Sequence, residues 1–253
     1  MEKTVVITGA TSGFGAACAR AFANLGCRLV LTGRRSELLE QAKKELSALC
    51  PVHTITLDVR DRQAVEAAFA ALPPEFAEVD LLVNNAGLAL GLEPAQRASL
   101  DDWDTMVDTN VKGVMYCTRA LLPGMVTRNR GQVVNIGSVA GSWPYPGGNV
   151  YGATKAFVEQ FSRNLRADLL GTAVRVTNIA PGMAETEFSK VRFKGDEERA
   201  HQVYLGTEAL LPEDIAEIVV WVSTLPTRVN INTLEVMSVN QSWGPFAVHR
   251  IQS

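Results

Sequence analysis

Val5-Val6-Ile7-Thr8-Gly9-Ala10-Thr11-Ser12-Gly13-Phe14-Gly15 leads from an apolar strand through closely spaced glycines into a helical pattern that runs from Ala16 to Leu25 and is closed by Gly26. Glycine permits sharp turns and lets a backbone approach a pyrophosphate, while a helix start offers free N–H groups and partial positive charge to phosphates. Strand, glycine loop and helix in this order outline a nucleotide site. The spacing is G-x3-G-x-G, not the G-x-G-x-x-G of the common dinucleotide fingerprint, and no Gly-Lys-Ser/Thr ending makes it a P-loop. A glycine-rich turn by itself is often only a turn, so the rest of the chain decides its meaning.

Outward from this unit, apolar runs at 28–32, 52–58, 81–84, 132–136, 174–179 and 234–239 read as further strands after 5–8. Helical patterns lie near 14–25, 36–49, 62–71, 101–128, 151–170 and 212–224. Such alternation is the sequence form of a doubly wound parallel sheet, so the expected fold is a single α/β domain of about seven parallel strands with helices on both faces. Ser36 and Asp61 read as N-caps, Pro212 as a first-turn residue and Gly171 as a C-cap. No repeat, low-complexity tract or linker divides residues 1–253. The one irregular stretch, 182–211, follows Pro181-Gly182. Loops at the carboxyl ends of parallel strands build the ligand crevice, which makes this insert the expected substrate lid.

Composition narrows the class. At 253 residues with 47% hydrophobic content, the chain can bury both faces of one large sheet. A formal charge of −3 without a polybasic stretch argues against nucleic acid and against an anionic membrane surface. No long apolar run or secretory leader pattern is present, which leads to the expectation of a cytoplasmic enzyme. Cys18, Cys27, Cys50 and Cys117 lack C-x-x-C spacing and are expected to be buried reduced thiols. His53, His201 and His249 are scattered, so no metal site is expected.

Tyr151-Gly152-Ala153-Thr154-Lys155 places a phenol and an ammonium at i and i+4, on one face of a helix, thirteen residues after Ser138. A fixed cation beside a phenol of pKa about 10 favours the phenolate and brings proton exchange nearer neutral pH. Ser138 would hydrogen-bond the oxygen of a reacting carbonyl or alcohol. An amphipathic helix also produces this spacing by chance, so the pair acquires meaning from the motifs around it.

Taken together, Thr8-Gly9-x3-Gly13-x-Gly15, Asn84-Asn85-Ala86-Gly87, Asn110, Ser138, Tyr151-x3-Lys155 and Pro181-Gly182 resemble, in order, the motifs of the short-chain dehydrogenase/reductase family, over residues 4–239. The resemblance implies an NAD(P)-dependent oxidoreductase on one Rossmann-like domain, usually a homotetramer. Within it, the stretches 149–157, 186–188, 191–196 and 230–235 resemble bacterial NADP-dependent 3-hydroxy acid dehydrogenases, which act on serine, allo-threonine or 3-hydroxypropionate-type substrates or the matching semialdehydes. The same resemblance implies Tyr151 as proton carrier, Lys155 on the nicotinamide ribose, Ser138 on the substrate oxygen and Asn110 behind a relay water. Gly9, Thr11, Ser12, Gly13, Phe14 and Gly15 are the expected phosphate loop, with Asn85, Ala86 and Gly87 and then Pro181, Gly182 and Thr186 farther along the cofactor. Asp58 and Val59 would meet the adenine, although an aspartate capping the next helix competes for that role.

Cofactor choice follows from the second strand. An acidic residue at its end would bind the adenosine ribose and repel a 2′-phosphate. Gly33 stands there instead, followed by Arg34 and Arg35, whose guanidinium forks suit phosphate. NADP is the expected cofactor, a solvated arginine pair the plainer alternative. For a carboxylate-bearing substrate the insert offers Lys190, Arg192 and Lys194, of which Arg192 can bind bidentately. Trp143, Tyr145 and Pro146 are expected to line the pocket. The aromatic segment 241–253, with Trp243, Phe246 and His249, is a candidate for docking on a neighbouring subunit. A reductase of another small carbonyl such as a sugar or sulfonated aldehyde, a non-catalytic NADP-binding regulator and a sugar-nucleotide epimerase remain the alternatives.

Overall fold

The computed structural model describes residues 3–244; Phe246 and His249 lie outside that range. Seven parallel strands form one sheet: β1 (Thr4–Thr8), β2 (Arg28–Gly33), β3 (Val52–Thr56), β4 (Val79–Asn84), β5 (Gly131–Ile136), β6 (Val174–Pro181) and β7 (Thr233–Val236), in the order β3-β2-β1-β4-β5-β6-β7. Alternate side chains of each strand point to opposite faces, and here both sets are apolar. Val5 and Ile7 enter a core with Leu29, Leu31 and Val134, while Val6 packs with Val30, Leu82 and Val133 on the other face. The helices α1 (Gly13–Asn24), α2 (Ser36–Leu46) and α9 (Pro212–Thr224) cover the first face. The second is covered by α3 (Arg62–Ala70), α5 (Val114–Thr127) and α6 (Asn149–Asp168). Shorter helices are α4 (Leu100–Val107), α7 (Phe188–Arg192) and α8 (Glu197–Gln202). No helix of the described residues is long and apolar enough to cross a membrane.

The strand order reverses between β1 and β4, which opens a crevice at their carboxyl ends. Gly26 closes α1 as expected: at φ +68° it follows Leu25, its N–H bonds Ala23 O, and Cys27 N–H bonds Phe22 O, the paired bonds of a Schellman motif. Asp61 caps α3 through Ala64 N–H, which removes helix capping as an explanation for Asp58, and Pro212 opens α9.

Three local expectations need correction. Ser36 is the first residue of α2, and Arg35 holds the N-cap position. Gly171 lies two residues beyond the Leu169 C-cap of α6. The helix expected across 101–128 is α4 and α5 joined by a π-helical turn, Asp108–Gly113. Asn110 lies in that turn, and a side chain at Gly113 would place its Cβ 2.7 Å from Val59 Cγ2, so the glycine admits the loop after β3. A π turn accommodates one extra residue without ending the helix, commonly near a functional site.

Candidate active site

At the end of β1, the glycine loop folds against the end of β4. Gly9 adopts φ +66°, and a Cβ there would lie 2.9 Å from Ala86 Cα. Asn85 staples the two strand ends: its Nδ2 donates to Thr8 O at 2.9 Å and Gly9 O at 3.0 Å, while Thr8 Oγ1 accepts from the N–H groups of Asn85 and Ala86. Gly15 stands behind this joint, where a Cβ would fall 2.3 Å from Gly9 O. It therefore shapes the loop without bordering the crevice, a correction to its expected contact with the cofactor.

The crevice has a volume of ≈ 1280 Å³ and is bordered by every candidate site residue except Gly15, Asn110 and the two lysines offered beside Arg192, Lys190 and Lys194. At one end, Arg35 donates to Thr11 Oγ1, to Ser12 Oγ and to the carboxylate of Glu187. Arg34 lines the same end, and Gly33 closes β2 where an acidic residue would otherwise face the adenosine ribose. Burial raises the Glu187 carboxyl, but hydrogen bonds from Arg35 and Ser12 outweigh it and leave the group below the usual range. Asp58, in the loop after β3, is held below the usual carboxylate range chiefly by Arg60, which pairs with it at 2.6 Å.

At the other end, α6 presents Tyr151 to Ser138, the N-cap of a short 3-10 turn, Val139–Gly141, and carries Lys155 one turn farther along the same crevice wall. The Tyr151 ring packs on Phe188 with centroids 5.5 Å apart, and the Arg192 guanidinium lies 5.5 Å from the Tyr151 centroid. Arg192 Nη2 donates to Tyr145 Oη at 2.5 Å and its Nε to Gly91 O at 3.2 Å. Lys190 and Lys194 turn away to Glu197 and Asp102. Asn110 is buried behind the site: it accepts from Leu88 N–H and donates to Leu88 O and Thr154 Oγ1, so its side chain positions β4's following loop and α6 instead of reaching into the crevice.

A model of the short chain dehydrogenase family matches residues 3–197. The chain belongs to that family. It is 62% identical over 247 residues to the NADP-dependent 3-hydroxy acid dehydrogenase YdfG of Salmonella typhi, covering 97% of this chain and 99% of that protein. It is 57% identical over 249 residues to a sulfoacetaldehyde reductase of Chromohalobacter salexigens, covering 98% of each. The solved closed form of serine dehydrogenase complexed with NADP+ matches with a TM-score of 0.95 at 59% identity, covering 98% of this chain and all of that one.

Within this short-chain dehydrogenase site, the expected electrostatics of Tyr151 need revision. Burial pushes the phenol up to about 12, and the lowering influences are Ser138 and Arg192, with Tyr145 opposing them. Lys155 Nζ lies 5.9 Å from the Tyr151 ring centroid and donates to Ile136 O at 2.8 Å, and burial pushes its own pKa down to about 8. Protonated Lys155 therefore costs stability at neutral pH. Between pH 8 and 10.5 the unfolded chain holds a proton on this group that the folded chain has released, so stability rises through that window. A Lys155→Met variant lacks this rise. Chemical denaturation at several pH values should show wild type gaining about 3 kcal/mol on the variant between pH 8 and 10.5; a constant difference would mean the lysine is not depressed.

Glu187 and Phe188 carry contacts that the sequence reading did not assign. The first lies 152 positions from Arg35, and no local spacing signals that pairing. Trp143 and Trp243 likewise converge, with ring centroids 5.5 Å apart and both indoles donating to Glu235. Trp243 thus packs within its own chain. All four cysteines are buried and free, and no metal-binding cluster occurs among the described residues.

Proposed function

We propose that this chain is an NADP-dependent oxidoreductase that interconverts a small 3-hydroxy acid, of the serine, allo-threonine or 3-hydroxypropionate type, with its semialdehyde. One observation carries the substrate class: Arg192 is held beside Tyr151 by Tyr145 and Gly91, and no carboxylate of the described residues pairs with it. A guanidinium fixed next to a proton carrier suits a substrate with an anionic group close to its reacting carbon. The high identity to a 3-hydroxy acid dehydrogenase supports the same reading.

The residues fit the cofactor. A glycine loop seated tightly on the end of β4, where a Cβ at Gly9 would lie 2.9 Å from Ala86 Cα, and Arg34 and Arg35 at the end of β2, where Gly33 stands in place of a carboxylate, suit a dinucleotide bearing a 2′-phosphate. When bound, the nicotinamide supplies the hydride chemistry. Tyr151 Oη gives a proton to the carbonyl oxygen in reduction and takes one from the alcohol in oxidation. Ser138 Oγ orients that oxygen, Lys155 holds the nicotinamide ribose, and Asn110 acts by positioning the turn and Thr154 around them. Asp58 and Val59 border the adenine end. The segment 182–211, which includes α7 and α8, is the proposed lid. Assembly as a homotetramer, implied by the family resemblance, and a cytoplasmic location belong to the same proposal; light scattering tests the first.

A sulfonate would meet Arg192 equally well, and the identity to a sulfoacetaldehyde reductase favours that second reading. Incubation with NADP and serine, both threonine diastereomers, 3-hydroxypropionate, 3-hydroxyisobutyrate, 2-hydroxyethanesulfonate and a simple sugar alcohol separates them. The 3-hydroxy acids should give the highest kcat/KM. No reduction of NADP with any of these, and no oxidation of NADPH with the aldehydes, would leave a non-catalytic binding protein.

The phosphate assignment has its own test. Replacing Arg34 and Arg35 together with alanine should weaken NADPH by more than tenfold and NADH little, because a charge-assisted hydrogen bond contributes roughly 1.5–3 kcal/mol. Equal losses in fluorescence titrations with both nucleotides would make the pair structural.

A further inference from the structure

The adenosine end of the crevice contains an ion pair whose partners belong to different parts of the proposed chemistry. Arg35, at the end of β2, is the proposed 2′-phosphate ligand. Glu187 immediately precedes α7 in the proposed lid, and its Oε2 lies 3.0 Å from Arg35 Nη1. Both edges of the guanidinium are engaged: Nη2 donates to Ser12 Oγ at 2.8 Å and Thr11 Oγ1 at 2.9 Å, and Nε donates to Thr11 Oγ1 at 3.2 Å. Bidentate recognition of a phosphate uses two parallel N–H groups. Neither available pair, Nη1 with Nη2 or Nε with Nη2, is without a partner. A phosphate brought to Arg35 would also face the Glu187 carboxylate, and like charges at that separation repel.

The contact is mechanically connected to the reacting end. Thr186, next to Glu187, has its Cβ 3.4 Å from the place a Gly13 Cβ would take, so the lid touches the glycine loop beside the pair. On the other side, Phe188 packs on Tyr151. A displacement of Glu187 thus acts on a segment anchored at the phosphate loop and at the proposed proton carrier.

We propose that Glu187 is a latch that reads the 2′-phosphate. Its carboxylate holds the lid segment to Arg35 until a 2′-phosphorylated nucleotide takes the guanidinium from it; a nucleotide without that phosphate leaves the pair in place. The latch rests on the assignment of Arg35 to the phosphate. Because both side chains are about half exposed, with relative exposures of 47% and 52%, the penalty on binding is modest. Glu187→Gln should tighten NADPH by roughly threefold to tenfold at low ionic strength and less at high salt.

The test combines binding with lid motion. Wild type, Glu187→Gln, Arg35→Ala and the double variant are titrated with NADPH, NADH and adenosine 2′,5′-bisphosphate. Hydrogen exchange across residues 184–193 is then followed with the bisphosphate and with adenosine 5′-monophosphate. Glu187→Gln should tighten only the two 2′-phosphorylated ligands, and the gain should vanish in the Arg35→Ala background. In wild type, the bisphosphate should speed exchange in the lid and the monophosphate should not, and Glu187→Gln should already exchange fast. If Arg35→Ala weakens NADPH selectively but Glu187→Gln changes nothing, or tightens NADH equally, the latch is wrong and the phosphate assignment stands. If Arg35→Ala weakens both nucleotides alike, the phosphate assignment falls and takes the latch with it.

Discussion

Tyr151→Phe should lower kcat by roughly 10²- to 10⁴-fold, the range over which a positioned acid or base contributes, while NADPH affinity changes by less than about twofold. The variant loses only the hydroxyl, and the ring keeps its packing on Phe188 at 5.5 Å. Steady-state rates in both directions and a fluorescence titration with NADPH measure the two quantities separately. A variant that keeps more than about a tenth of the wild-type rate would remove Tyr151 from the proton transfer. The hydroxyl is also well suited to reduction, since burial keeps the phenol protonated at neutral pH.

Arg192→Leu should lower kcat/KM for 3-hydroxy acids by about 30- to 1000-fold, the equivalent of roughly 2–4 kcal/mol for losing an ionic partner in a largely desolvated site. A short uncharged alcohol should be nearly unaffected, because it never made that bond. The comparison is informative because Arg192 also donates to Gly91 O and Tyr145 Oη. If acid and alcohol activities fall together, those contacts, which tie α7 to Gly91 and Tyr145, are what the arginine provides. If neither changes, the anion is held elsewhere, and the engagement of Lys190 with Glu197 and Lys194 with Asp102 makes both lysines poor substitutes. Should the wild type show no preference for anionic substrates over uncharged analogues, the 3-hydroxy acid reading is lost and only the short-chain reductase chemistry remains.

The sheet was legible because its information is local. Val5, Val6 and Ile7 have to be apolar on both faces, and Gly9 and Gly26 need positive φ at turns set by their immediate neighbours. The convergence of Ser138, Tyr151 and Lys155 was legible for a related reason, since one helix face and one strand end suffice to bring them together. Less could be read where geometry depends on three-dimensional closure. Nothing in Asp108–Gly113 distinguishes a π turn from the helices flanking it, because the turn is completed by Leu88 and Thr154 bonding Asn110. The sequence spacing suggests that Lys155 polarises Tyr151, whereas its ammonium is directed at the Ile136 carbonyl and desolvated there. Glu187 meets Arg35 only because the chain after β6 folds back over β2. Charge pairs that close across a crevice have no periodicity to reveal them.

The four native cysteines have a practical consequence for testing the proposed lid. Each is buried, and desolvation pushes the thiols of Cys18 and Cys117 up to about 12, where almost no thiolate exists at neutral pH. Burial raises Cys27 and Cys50 as well. The folded protein is consequently a quiet background for thiol-directed dyes. Leu205, exposed beyond α8, offers a place where Leu205→Cys would introduce a fast-reacting handle on the proposed lid without first stripping out the natural ones. A fluorophore attached there could report opening and closing during turnover in real time, in a protein whose core chemistry has been left intact.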